Sequence, residues 1–174
     1  MPTRTDLAAA VHGACHLTGE FTLRSGATAT EYFDKFRFEA RPDLLAAVAD
    51  ALAPLVPVGV DVLAGLELGG VPIVTALSLR TGLPAAFVRK QAKPYGTARL
   101  AEGAEVSGRQ VLVVEDVVTS GGQVVISTGQ LRDLGARVDA AVCVIDREEG
   151  GATALAAAGI ALHALFTRGN LDAG

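Results

Sequence analysis

One twelve-residue stretch constrains the chain more than any other: Val111-Leu112-Val113-Val114-Glu115-Asp116-Val117-Val118-Thr119-Ser120-Gly121-Gly122. Four apolar residues lead into two acids, two more apolar residues and a hydroxyl–glycine turn. An unbroken apolar run predicts a strand covered on both faces. Two carboxylates ending such a strand are costly unless they meet partners. The glycines let backbone approach a ligand closely, and free N–H groups at the start of a following helix suit a phosphate. Taken alone, Glu115 and Asp116 read either as turn and capping acids or as partners for ribose hydroxyls or a water-held cation. As strand neighbours they are expected to point to opposite sides rather than form a dyad. The stretch is neither a Walker A loop nor a Gly-x-Gly-x-x-Gly fingerprint.

The rest of the chain repeats this grammar. Apolar runs at Val60–Leu66, Ala85–Val88, Val138–Ile145 and Ala161–Phe166 alternate with helical segments at Pro72–Arg80, Gln123–Leu134 and Ala152–Ala158. Gly82, Gly135 and Gly159 follow the three helices as stops. The expected fold class is α/β, a doubly wound and mainly parallel sheet built through right-handed crossovers. Ligands bind such sheets beyond the carboxyl ends of the strands. There, Glu67-Leu68-Gly69-Gly70 offers a second turn, either simply tight or able to receive an anionic group. Upstream, residues 3–18 predict a helix capped by Thr5 or Asp6, with Leu7, Ala10, Val11 and Ala14 on one face. Residues 20–38 read as a hairpin-like segment. A helix from Pro42 turns Leu44, Leu45, Val48 and Leu52 inward and closes at Pro54. At 174 residues the chain is expected to be one domain, 1–174, with a small N-terminal hood at about 18–40.

Residues 91–108 break the rhythm with Pro94, Gly96, Gly103 and Gly108 and little apolar periodicity. Arg89, Lys90, Lys93 and Arg99 lie at or beside this stretch. It reads either as a solvated basic hairpin or as a flexible cationic flap over an anionic ligand. Net charge is −4, with 15 Lys and Arg against 19 Asp and Glu. That balance argues against nucleic acid or an anionic membrane as partner. The apolar stretch Leu7–Val11 is too short for a signal peptide, and no window approaches a membrane span, so a cytoplasmic protein is expected. The two cysteines, Cys15 and Cys143, make no disulfide framework, and Cys143 reads as a buried small hydrophobe. His12, His16 and His163 read as structural or surface residues.

The stretch 111–122 closely resembles the phosphoribosyl-diphosphate motif of type I phosphoribosyltransferases, and the resemblance covers most of residues 20–168. Three flanks narrow it to the orotate phosphoribosyltransferases: Phe21-Thr22-Leu23-Arg24-Ser25-Gly26 with Tyr32-Phe33-Asp34, Val88-Arg89-Lys90-Gln91-Ala92-Lys93 with Gly96, and Val144-Ile145-Asp146-Arg147. The resemblance implies transfer of ribose 5-phosphate from phosphoribosyl diphosphate to orotate in pyrimidine synthesis. Lys93 is then the main loop cation and, with Asp116, a catalytic residue. Arg89 and Lys90 would bind diphosphate. Glu115 and Asp116 would meet the ribose hydroxyls, and Val117, Val118, Thr119, Ser120, Gly121, Gly122 and Gln123 would line the phosphate cradle. Arg24, Thr119 and Arg147 would contact orotate, although Arg147 alone reads equally as an ion pair with Glu148 or Glu149. Magnesium (Mg2+) is implied, held by ligand oxygens and water with no direct protein ligand, as is a homodimer that shares the loop. The sequence departs from the family at Arg24 and Gly69, where lysine is common, and at Tyr95, where histidine is usual. Other readings are transfer to another nucleobase, or a non-catalytic sensor of phosphoribosyl diphosphate.

Overall fold

In a computed structural model, residues 3–23, 25–92 and 99–172 are described. Helix α1 (Arg4–Cys15) opens the chain, and a hairpin of β1 (His16–Thr22) and β2 (Thr28–Phe33) follows. Next come a short helix α2 (Phe36–Glu39) and α3 (Pro42–Leu52). The central layer is a six-stranded sheet in the order β5-β4-β3-β6-β7-β8. Its strands are β3 (Val62–Leu66), β4 (Ala85–Val88), β5 (Ala101–Gly103), β6 (Gln110–Val118), β7 (Arg137–Asp146) and β8 (Ala161–Thr167). All neighbours pair in parallel except β5, which runs antiparallel on β4.

Alternation along the strands divides the core. Leu63, Leu112, Val114, Val142 and Val144 pack with Leu44, Val48, Ile73 and Leu77, from α3 and from α4 (Gly70–Thr81). Val62, Ala64, Val111, Val113 and Cys143 pack with Val124, Leu131 and Leu155, from α5 (Gly122–Asp133) and α6 (Gly151–Ala157). Helices thus cover both faces, as the unbroken apolar runs require. The strand order reverses between β3 and β6, so their carboxyl ends flank a switch-point crevice.

Four expectations change. Helix α1 is capped by Thr3, in a reciprocal box with Asp6, and stops at Cys15. His16 is extended and begins a strand whose ladder with β2 outweighs the continuing helical period. Leu7, Ala8, Val11 and Cys15 form its buried face, while Ala10 is exposed. Strand β6 runs through both acids to Val118, because β7 stays paired with it as far as Asp146. Within the basic stretch, Ala101–Gly103 forms an edge strand, so residues 91–108 are not loop throughout. Helix α7 (Arg168–Asp172) closes the described chain without a clear sequence signal.

Two glycines set how closely α4 meets the sheet. A β-carbon on Gly65 would lie 2.4 Å from Val74 Cγ1, and one on Gly70 would lie 2.5 Å from the Val114 carbonyl oxygen. By contrast, a β-carbon on Gly129, inside α5, meets nothing within 4 Å. Gly70→Ala is therefore expected to lower stability by about 1–3 kcal/mol through overpacking. Gly129→Ala should raise it by roughly 0.5–1 kcal/mol through helix propensity. Urea unfolding measures both, and equal shifts would contradict the packing account.

Candidate active site

The turn after β6 is held from beneath and open above. Gly121 takes a left-handed conformation (φ 79°), and a β-carbon there would lie 2.5 Å from Leu155 Cδ1. A β-carbon on Gly151 would lie 2.5 Å from the Thr119 carbonyl oxygen. The start of α6 thus supports the turn. Thr119, Ser120 and Gly122 are exposed, and no side chain caps α5. Uncapped N–H groups, two hydroxyls and the positive end of a twelve-residue helix make a site for a phosphate-sized anion. Gln123 is turned to its own helix, where Nε2 donates to Ser127 Oγ at 3.0 Å.

Beside this turn lies a buried cluster of acids. Asp116 is fully buried, and Glu115 and Glu39 are nearly so. Asp116 Oδ1 accepts from the Val117 N–H at 2.6 Å, and Oδ2 lies 2.5 Å from the Lys35 ammonium. Glu115 curls back so that Oε1 accepts from the Asp116 N–H at 3.0 Å. That curl brings the two carboxyls into interaction, where strand alternation alone would separate them. Burial first, and the neighbouring Asp116 second, push the Glu115 carboxyl up to about 9 and that of Glu39 up to about 8. Among the described residues no donor reaches either Glu39 carboxyl oxygen, as expected of a carboxyl that keeps its proton. Lys35 and Glu39 went unread in the sequence. Nothing marks a glutamate in Phe36-Arg37-Phe38-Glu39 as buried, because its partner is contributed by β6.

A cavity of about 430 Å³ opens at the adjoining end of β7, with Tyr32, Phe33, Ile145 and Arg147 in its wall. Arg147 lines the cavity, and its guanidinium makes the ion pair expected with a neighbouring glutamate, 3.3 Å from Glu149 Oε1. Its backbone N–H donates to the Val118 carbonyl at 2.9 Å, which ties the cavity wall to the turn. His12 and His16 also line the cavity, so two of the three histidines are not merely surface residues. Their rings stack at 5.0 Å, and His16 Nε2 lies 3.4 Å from Glu31 Oε2.

Arg89 and Lys90 follow β4 on the other side of the switch point. The Lys90 N–H donates to Glu67 Oε1 at 2.5 Å, and the Arg89 Nε lies 3.8 Å from Glu102 Oε1. Gly69, in the turn after β3, packs onto the acids: a β-carbon there would fall 1.7 Å from Asp116 Oδ2. The structure thus gathers Glu115, Asp116 and the 117–123 turn, with Arg147 adjoining them through Val118. Arg24, Lys93, Tyr95 and Gly96 lie outside the described residues.

Comparison with known proteins agrees with this geometry. The phosphoribosyl transferase domain family matches residues 37–156. An orotate phosphoribosyltransferase of Nocardioides sp. is 54% identical over 96% of this chain and 93% of its own length. The Mycobacterium tuberculosis orotate phosphoribosyltransferase, solved in complex with 5-phospho-α-D-ribosyl 1-diphosphate, superimposes with a TM-score of 0.84 at 30% identity, covering 98% of this chain and 99% of that one. An adenine phosphoribosyltransferase of Thermoanaerobacter pseudethanolicus shares the fold, with a TM-score of 0.71 at 18% identity over 92% of this chain and 99% of that one.

The protonated acids have a signed consequence. The unfolded chain releases the Glu39 proton near 4.5, whereas the folded chain holds it to about 8. This contribution to stability is complete below the ordinary carboxylate range and is lost as pH rises towards 8. Glu39→Gln is expected to flatten the fall in urea midpoint between pH 5 and pH 8.5 relative to the unsubstituted protein. Parallel curves would contradict the buried, protonated state.

Proposed function

The chain belongs to the orotate phosphoribosyltransferases of the phosphoribosyl transferase family, and from that premise we propose how its residues divide the reaction. The N1 nitrogen of orotate bonds to C1′ of phosphoribosyl diphosphate as the C1′–O bond to diphosphate breaks. The N1 proton passes to solvent, and orotidine 5′-monophosphate forms for pyrimidine synthesis. The observation that carries this reading is the open hydroxyl–glycine turn at the end of β6, joined to the Arg147 cavity by the Arg147–Val118 hydrogen bond.

In this reading Thr119, Ser120, Gly121, Gly122 and Gln123 hold the 5′-phosphate at the start of α5. Asp116 and Glu115 take the ribose hydroxyls. Arg89, Lys90 and Lys93 neutralise the charge that grows on the departing diphosphate, with Lys93 as the main loop cation. Arg147 and Arg24 meet the orotate carboxylate and carbonyl edge through charge-assisted hydrogen bonds. Tyr32 and Phe33, in the same cavity wall as Arg147, supply flat surface for a pyrimidine ring.

Asp116 is fully buried and already held by Lys35, so the donors present fit a magnesium ion carried on substrate oxygens and water. Such an ion, when bound, offsets charge on the diphosphate. A homodimer sharing the 91–108 segment and a cytoplasmic location complete the proposal. Among the described residues no helix is long and apolar enough to cross a membrane.

Loss of orotate absorbance should require phosphoribosyl diphosphate and magnesium together, with no turnover when adenine, guanine or uracil replaces orotate. Turnover with a purine and none with orotate would overturn the assignment. Arg147→Ala should raise the KM for orotate about 10- to 100-fold, the worth of a charge-assisted hydrogen bond, while the KM for phosphoribosyl diphosphate changes far less.

A further inference from the structure

The segment joining the hairpin to α3 performs two tasks within seven residues. Phe33 stands in the wall of the cavity. Lys35 and Glu39, two and six positions on, reach the acids at the end of β6. Lys35 is one-third exposed, and its ammonium lies 2.5 Å from an oxygen of a fully buried aspartate. It also sits 5.4 Å from the centre of the Phe36 ring. The acidic groups around it are Asp34 and Glu39 on its own segment and Glu115 and Asp116 on β6.

Asp116 has little freedom in this arrangement. Oδ1 is held by the Val117 N–H, Gly69 covers the carboxylate so closely that no side chain fits there, and Oδ2 rests on Lys35. An ammonium has three donors, so one can stay on Asp116 while another meets a ligand oxygen. Oδ2 itself is buried, so the group that a ligand meets at this point is the partly exposed ammonium beside it. The Glu67–Gly70 turn brings no cation of its own to this point. Without Lys35 the buried Asp116 carboxylate would present uncompensated negative charge to an incoming polyanion.

Resting on the functional reading above, we infer that Lys35 is a positioning residue for phosphoribosyl diphosphate: it fixes the Asp116 carboxylate for the ribose and offsets the acid cluster against the diphosphate. The hood would then act on the sugar-phosphate substrate as well as on the base.

Titration calorimetry with phosphoribosyl diphosphate and magnesium, together with steady-state kinetics, tests this on the full-length protein. Lys35→Met is expected to weaken phosphoribosyl diphosphate binding and raise its KM roughly ten-fold or more. The KM for orotate should change less than about three-fold, and Lys35→Arg should restore most of the loss. Because Lys35→Met leaves Asp116 unpaired, the double variant Lys35→Met, Glu39→Gln, whose amide places an N–H donor where residue 39 faces Asp116, is measured beside it and should show the same selective weakening. Wild-type affinity in either Met variant that folds, or an equal rise in both KM values without rescue by arginine, overturns the inference. If neither Met variant folds, amine acylation of the wild-type protein decides: protection of Lys35 by phosphoribosyl diphosphate supports the proposal, and equal labelling with and without it overturns it. Failure of the wild-type protein to bind phosphoribosyl diphosphate would instead sink the functional reading from which the inference starts.

Discussion

The site depends on the close seating of α4 against the two central strands. A helix beginning over a parallel sheet normally stands off by the width of its side chains. Here Gly65 and Gly70 remove that spacer, and the helix start lies directly on β3 and β6. The approach sets Gly69 onto Asp116 and leaves no room for the carboxylate to swing away. Any bulk added at these positions displaces the Asp116 carboxylate as well as a packing contact.

Charge is arranged around that fixed point. Three buried carboxyl groups, from Glu39, Glu115 and Asp116, meet the ammonium of the partly exposed Lys35. Full ionisation there would leave anionic charge facing a substrate that is itself strongly anionic. Protonation of two acids and pairing of the third removes most of that conflict. The cations that the functional reading assigns to the leaving group stand elsewhere, beyond β4, where Arg89 and Lys90 are exposed to solvent or nearly so. The crevice thus separates an electrically quiet floor from a positive rim beyond β4.

The sheet, both helical layers and the hydroxyl–glycine turn between β6 and α5 were legible because they follow from local pattern. Runs such as Val111–Val114 and Val138–Ile145 have only one comfortable environment. The glycines after the helices mark their ends without tertiary information. What escaped depends on partners distant in sequence. Lys35 and Glu39 acquire meaning only when β6 is placed beside α2, some 77 positions later in the chain. His12 and His16 line a cavity whose opposite wall is Arg147. Strand β5 was missed because three residues give too short a period to read, and its existence depends on the free edge of β4. The expectation that Glu115 and Asp116 diverge failed for a different reason: alternation governs where side chains leave the backbone, not where a flexible glutamate ends.

The hydrogen bond from the Arg147 amide to the Val118 carbonyl belongs to the backbone, so no side-chain replacement alters it directly. It sets the span between cradle and cavity by the ladder of two adjacent strands. Residues in the cavity wall are therefore at liberty to diverge while the span from turn to cavity stays constant. The likeness that persists to an adenine phosphoribosyltransferase at 18% identity is a likeness of this frame, and of fold alone.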